Sequence, residues 1–263
     1  MVVTSFTSAF SAVALFIASS NALPWKGKEL TTYSPASDLS KLAKLMPTSE
    51  LPVPVGQLKY VVLGIGTQNY TCLSGNPAAV PGTTGAVAAL YDIGTKLNND
   101  PMAKWKIPSL SPLALALSSF PSALEWNLES QGYNHRIGTH TFAPISANAT
   151  IPTFAFDQLS ASPFPIAQVG KLNETAPPES ACPGLQGEGT VKWLYLKDTK
   201  GLSNGGVDTV YRLETAGGMA PKTCEGRPNT FEVKYAAQCK SCSSNFLNIS
   251  ADPATDWVFG PGK

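Results

Sequence analysis

The stretch from Tyr60 to Cys72, YVVLGIGTQNYTC, has residue types that suit a dinucleotide-binding turn. In that motif a strand leads into glycines, and the pyrophosphate binds at the N-terminus of the helix that follows. Gly64 and Gly66 fit, but Asn69 stands where a third glycine is expected, and the next residues contain two prolines and three glycines. Such a segment does not form a crossover helix. We therefore predict adjoining strands or a hairpin here, and no cofactor.

A second catalytic pattern is the run Gly201–Gly205, which matches the G-x-S-x-G nucleophile elbow of α/β-hydrolases. In that fold the catalytic histidine follows the serine along the chain. The two histidines, His135 and His140, both precede Ser203, and the surrounding KDTKGLSNGGVD is typical of a polar hairpin loop. A nucleophile elbow is therefore not predicted at Gly201–Gly205.

His140 is the remaining candidate for acid–base chemistry. Being five residues apart on a predicted strand, His135 and His140 face opposite sides, so they do not form a metal pair, and no metal site is predicted. A hydrogen-bonded structural role is the interpretation we favour for His140. The alternative is an extracellular enzyme that uses His140 with a carboxylate such as Asp157 on a glycan or small molecule.

The segment 205–224, GGVDTVYRLETAGGMAPKTC, predicts a strand and a turn that leads to a cysteine. Alternation places Val210, Arg212 and Glu214 on one face, where Arg212 and Glu214 are expected to form a solvated ion pair. We interpret the segment as a structural hairpin held by a disulfide, with an exposed binding loop as the alternative.

Five cysteines favour disulfides in an exported chain, with one cysteine left over. The Cys239-Lys-Ser-Cys242 spacing lacks the βαβ context of a redox motif, and zinc-ribbon spacing is absent. The pairing is not readable from the sequence. The disulfide candidates are Cys72, Cys182, Cys224, Cys239 and Cys242.

The elements that must position these residues are mainly strands. Runs rich in β-branched and aromatic residues, separated by Gly, Pro, Asn and Asp, predict strands at 58–65, 68–74, 85–92, 135–143, 151–157, 190–198, 208–216 and 230–237. A helical region is predicted at 110–129, broken at Pro121, and a short helix around Leu39 to Met46. The predicted fold is all-β, a β-sandwich or flattened barrel with a short helical insertion near 110–129.

The ends of the chain indicate export. Residues 1–22 carry no charged side chain, and an apolar run too short to span a bilayer is followed by a small-x-small site that ends at Ala22. We predict a signal peptide at 1–22, an extended Pro-rich lead-in at 23–57, a single β domain at 58–242 and a C-terminal tail at 243–263. The expected location is extracellular or in the cell wall.

The amino-acid composition narrows the range of expected binding partners. Charged residues make up 14% of the chain and the formal net charge is +1, without a basic stripe, so neither nucleic acid nor a membrane is an expected partner. Four N-x-[ST] sequons are candidate glycosylation sites in an exported protein. They begin at Asn69, Asn148, Asn173 and Asn248.

Several short segments together resemble a known family. In order, they are GTQNYTC, GAVAALYD, GTHTF with PTFAF, VKWLYL and VYRLETAGGMAPKTC. The chain is similar over roughly 50–240 to the secreted domain of unknown function 3455, which occurs in fungi and bacteria. Fungal members often carry the label malate dehydrogenase, which implies nicotinamide-dependent oxidation. The family supplies no established catalytic residues, and YAAQCKSCSSNF departs from its usual aromatic ending.

These observations favour a secreted, glycosylated, disulfide-containing fungal β-protein that binds a cell-wall or host glycan or protein. An extracellular enzyme that acts on a glycan or small molecule is the alternative. A malate dehydrogenase, as the family label implies, is a third hypothesis that requires a parallel sheet and a helix after Gly66.

Overall fold

The structure, a computed structural model, describes residues 33–73, 75–147 and 149–243. The described part contains nine strands and four helices. The strands are β1 (Gln57–Thr71), β2 (Gly82–Asp92), β3 (Arg136–Ser146), β4 (Ala149–Ala155), β5 (Ile166–Gln168), β6 (Gly170–Thr175), β7 (Trp193–Lys197), β8 (Thr209–Gly217) and β9 (Thr230–Ser243). The helices are α1 (Ser40–Ala43), α2 (Gly94–Leu97), α3 (Ala103–Leu117) and α4 (Pro121–Gln131). The predicted signal peptide, the Asn148 and Asn248 sequons, the Cys242 side chain and residues 244–263 lie outside this description.

All nine strands belong to one antiparallel sheet that is nearly closed. Their order is β5-β4-β3-β2-β1-β9-β8-β7-β6. The two edge strands are consecutive in the chain and separated only by Val169, so one short stretch pairs with β4 and then with β7. The Val169 amide donates to the Pro152 carbonyl at 3.0 Å, which continues this closure. The predicted all-β class is confirmed, in its flattened-barrel form.

The sheet has two apolar faces. The inner face carries one buried cluster that includes Val62, Leu90 and Phe154. The outer face carries Val61 and Leu63, which belong to a second cluster together with side chains of α1 to α4. Because neighbouring residues of a strand point to opposite sides, β1 serves both clusters.

Strand β1 runs without interruption through the glycines that resemble a nucleotide-binding turn. Gly64 pairs with Leu90 and Ala237, and Gly66 lies opposite Ala88 and Tyr235. The two strands predicted at 58–65 and 68–74 are therefore one strand, so the prediction of a break between them is wrong. Neither the parallel neighbour nor the following helix that a dinucleotide-binding unit requires is found at Gly66.

The predicted helical region at 110–129 corresponds to two helices, α3 and α4. Pro121 opens α4, because proline fits the first turn of a helix, and the preceding Phe120 is not helical. Helix α3 begins seven residues earlier than predicted and accommodates Pro108 and Pro112. Among the described residues, no helix has the length and apolar character needed to cross a membrane.

Strand β8 departs from simple alternation after Leu213. Its pairing with β9 shifts between Leu213 and Ala216, and Glu214 adopts a positive φ of 48°. Arg212 and Glu214 therefore do not form the predicted ion pair, and Arg212 occupies the inner-face position that follows Val210. The bulge separates two side chains that an unbroken strand would place together.

The lead-in packs on the sheet. Leu39 and Leu42 are buried in the outer-face cluster. The Tyr33 hydroxyl donates to the Asp92 carboxylate at 2.6 Å, and the Thr95 hydroxyl donates to the same oxygen at 2.5 Å. Asp92 thus joins the lead-in to the start of α2, and its buried carboxylate has a structural explanation.

Candidate functional site

His140 and Asp157 do not meet. The His140 ring is buried on the inner face, where it stacks on Phe154 with a centroid distance of 4.1 Å. Asp157 is exposed, and its Oδ2 lies 3.5 Å from Oγ1 of Thr139, the neighbour of His140 that points to the opposite side of β3. The two side chains are not arranged as an acid–base pair.

Ser203 is held by backbone contacts. Its hydroxyl accepts from the Gln168 amide at 2.9 Å and lies 3.3 Å from the Gln168 carbonyl, to which it donates. Its own amide donates to Asp198 Oδ2 at 2.7 Å. Ser203 therefore extends the pairing of the edge strand β5, in a loop rather than at a strand-to-helix turn.

The four cysteines whose side chains the structure describes divide into one disulfide and two free thiols. Cys72, just after β1, is bonded to Cys224 in the loop before β9. Cys182 and Cys239 are free. Cys239 lies on the inner face, and burial raises the pKa of its thiol to about 12, so this thiol is protonated and unreactive near neutral pH.

Polar side chains gather at one end of the inner face. We name Gln68, His140, Arg212 and Tyr235 the Arg212 cluster. The charge of Arg212 acts on both His140 and Tyr235, and the Gln68 amide lies against the Tyr235 phenol. Four strands thus supply the cluster, namely β1, β3, β8 and β9.

Small residues surround the Arg212 cluster. Ala86, Ala88 and Ala237 form a buried group with Tyr235, and Gly64 lies between Ala88 and Ala237. The apolar half of the inner face instead carries larger residues such as Phe154 and Phe156. Phe154 and Phe156 therefore lie in one half of the inner face, while in the other half three alanines pack beside the polar groups together with Val191 and Phe142.

Two buried donors in the cluster have no hydrogen-bond partner in the structure. They are Nε of Arg212 and Nε2 of Gln68, a residue only 6% exposed whose amide contacts the Tyr235 phenol without hydrogen-bond geometry. Arg212 Nη2 does donate to the Lys192 carbonyl at 2.9 Å. Burying an unpaired donor costs about 1–3 kcal/mol, so a bound acceptor would recover free energy at this place.

His140 adds an acceptor to these donors. Its Nδ1 lies 3.0 Å from the Thr153 carbonyl. Burial, with a smaller contribution from the Arg212 charge, lowers the pKa of His140 to about 4 against the opposing effect of the Thr153 bond. The ring is therefore neutral near pH 7. Because a carbonyl only accepts, the proton lies on Nδ1 and the lone pair on Nε2.

The rim of the cluster carries excess positive charge. Glu174 on β6 is bonded to Lys171 at 2.7 Å and also to Lys192, and these two bonds lower its pKa to about 2. Arg212 lies close enough to feel the Glu174 charge, but it belongs to none of the ion pairs found among the described residues. One carboxylate thus faces three cations.

A separate cavity of about 480 Å³ lies beside α1. Its lining includes Met46, Val53, Leu58 and Lys240, and it shares no residue with the Arg212 cluster. Elsewhere in the described residues, no three His, Cys, Asp or Glu side chains converge as a group that would hold a metal ion.

Sequence reasoning singled out His140 and Arg212 but missed Gln68 and Tyr235. The signal for Gln68 was the two-residue spacing of Gly64, Gly66 and Gln68, which places all three on one face of β1. Tyr235 gave no comparable signal, because its role depends on the register between β9 and β1.

The fold and this site define an antiparallel β-protein with helices on its outer face and a polar cluster on its inner face. The chain belongs to the family described as protein of unknown function (DUF3455), whose model matches residues 53–239. No curated protein and no solved structure matches the chain.

Proposed function

We propose that this chain is an exported binding protein rather than an enzyme. The observation that carries the proposal is the chemistry of the Arg212 cluster. The cluster offers unpaired donors from Gln68 and Arg212, but its one imidazole is neutral and has no carboxylate partner among the described residues. Donors without a base or a nucleophile suit the holding of a ligand better than bond cleavage.

Export is supported by three features of the chain. The first 22 residues have the pattern of a signal peptide. The Cys72–Cys224 disulfide suits an oxidising compartment. Asn173 lies exposed on the edge strand β6, where a glycan meets no neighbouring strand on one side. Asn69, in contrast, lies in β1 between two paired strands.

Expression of the tagged full-length chain in a eukaryotic secreting host tests export. We expect the protein in the medium or at the cell surface, cleaved after Ala22 and carrying a glycan at Asn173. Peptide mass mapping reads both features, and Asn173→Gln is the matched variant that should lose one glycan and remain exported. Retention in the cytosol without glycan would contradict the proposal.

A melting-temperature panel on the secreted protein tests binding. The panel contains chitin and glucan oligosaccharides, calcium, zinc, and nicotinamide cofactors with malate. A ligand at 100 times its Kd stabilises by about 2.7 kcal/mol. A shift with an oligosaccharide supports the binding role. Turnover of the oligosaccharide favours the extracellular enzyme, and a shift with the cofactor favours the dehydrogenase.

A further inference from the structure

We propose that the Arg212 cluster binds the carboxylate of a small molecule on the inner face of the sheet. This inference rests on the binding role proposed above and adds the site and the ligand chemistry. A carboxylate supplies up to four lone-pair directions and no donor, which is the complement of Nε of Arg212 and Nε2 of Gln68.

The charge balance favours an anion over a neutral acceptor. Arg212 is partly buried, and Glu174, the one carboxylate that acts on it within the described residues, already has two lysine partners. A guanidinium in such surroundings lacks a counter-ion, and a buried charge without one is costly. Burial also lowers the pKa of Arg212, because a guanidinium removed from water is less stable in its charged form.

The shape of the inner face favours a small ligand. Three of the five buried side chains that pack together in the polar half are alanines, Ala86, Ala88 and Ala237, so little side-chain volume lies beside the donors. Tyr70 closes one side, because its hydroxyl donates to the Gly218 carbonyl at 2.6 Å. The exposed side of the cluster is the rim, where Arg212 Nη2 donates to the Lys192 carbonyl and the Lys192 side chain is 56% exposed.

The neutral His140 ring sets a secondary preference. With its proton on Nδ1 toward Thr153, the ring presents the Nε2 lone pair, which repels a carboxylate oxygen and accepts from a hydroxyl. The charge of Arg212 therefore attracts the carboxylate, while His140 favours a hydroxyl elsewhere on the ligand. Both a free organic acid and an acidic sugar satisfy these requirements.

Calorimetric titration of the secreted protein at low ionic strength tests the site. The probes are acetate, glycolate and glucuronate, with glucose as the neutral control. Binding of acetate or glycolate supports a free organic acid, and binding of glucuronate alone supports an acidic sugar. Glucose binding as tight as that of glucuronate, or no binding by any carboxylate, overturns the proposal.

Variants assign the binding to these residues. Arg212→Gln should lower the affinity at least about tenfold, the loss typical of a hydrogen bond to a charged group. Lys171→Gln is the matched control, because it removes one positive charge from the rim and leaves the inner face intact. We expect it to change the affinity less than about threefold. Equal losses in both variants would overturn the site in favour of diffuse attraction.

Gln68→Met separates binding from folding. The Nε2 donor is buried without a hydrogen bond of good geometry, so its replacement by an unbranched apolar side chain should leave the melting temperature unchanged or raise it. The same change should weaken carboxylate binding several-fold. Unchanged affinity contradicts the site but leaves the exported binding role standing. Cytosolic retention contradicts export, which the titration of purified protein does not measure.

Discussion

His140 illustrates how burial changes the acid–base chemistry of a residue. His140 was the candidate for acid–base chemistry in the sequence, yet its ring is 6% exposed and lies between Phe154 and the Thr153 carbonyl. The lowered pKa, about 4, keeps the ring neutral where an enzyme at neutral pH would need a group that exchanges protons readily. The consequence of this burial is a stability that depends on pH.

We expect the protein to lose stability as the pH falls from about 6.5 toward 4. In this window the unfolded chain protonates His140 and the folded chain does not, so protons favour unfolding. The contribution of His140 is about 2 kcal/mol between pH 7 and pH 5. Denaturant unfolding of the wild type and of His140→Gln at both pH values measures it.

The His140→Gln variant should show a smaller pH dependence than the wild type by about this amount, because Gln keeps a donor for Thr153 and does not titrate. His135→Gln is the matched control, since His135 is exposed and its replacement keeps the buried ring. Equal pH dependence in the wild type and His140→Gln would contradict the buried, neutral state.

At the scale of elements, the glycines of β1 serve strand packing. A Cβ added to Gly66 would lie 1.9 Å from the Val87 carbonyl oxygen, which is backbone of the paired strand β2. A Cβ at Gly64 would lie 3.5 Å from the nearest atom, Leu90 Cδ2, which is ordinary contact. The same Gly-x-Gly pattern that resembles a phosphate-binding turn therefore marks a close approach of two strands.

Gly66→Ala should therefore destabilise the protein by about 3 kcal/mol or more, because the backbone of β2 must shift to admit the methyl group. Gly64→Ala, two residues away on the same face, should change the free energy of unfolding by less than about 1 kcal/mol. Denaturant titration of both variants measures the difference. Similar values for the two would show that β1 and β2 do not approach as described.

The sequence predicted the strands better than the irregularities within them, such as the bulge in β8. Seven of the nine strands fall on predicted runs, because alternation and turn residues are local signals. The bulge at Glu214 was not predictable, since its positive φ reflects pairing with β9 rather than the residue type. The short strands β5 and β6 were missed because their few residues carry little pattern of their own.

At the scale of the whole molecule, the closure of the sheet depends on contacts between distant parts of the chain. Strand β1 lies between β2 and β9, so the first and last strands are neighbours at the centre of the sheet. Local sequence patterns do not predict such a strand order. They do not predict the Arg212 cluster either, because β1, β3, β8 and β9 must all be in register before its four side chains meet.

The disulfide acts at this scale, because it links residues 152 positions apart. Cross-linking so long a loop restricts the unfolded chain and stabilises the folded one by about 5 kcal/mol in the chain-entropy treatment. The Cys72→Ala/Cys224→Ala double variant should lose most of this amount in denaturant unfolding. Cys182→Ala is the control, since its thiol is free and partly exposed, and should change stability by less than about 1 kcal/mol.

Mass mapping of non-reduced peptides tests whether this stabilisation comes from a bond between Cys72 and Cys224. The bond ties the end of β1 to the loop that enters β9, so it secures the central pair of strands that positions Gln68 and Tyr235. Loss of the bond should therefore weaken carboxylate binding as well as stability. A linkage of Cys72 to another cysteine, or a double variant as stable as the wild type, would contradict this arrangement of the sheet.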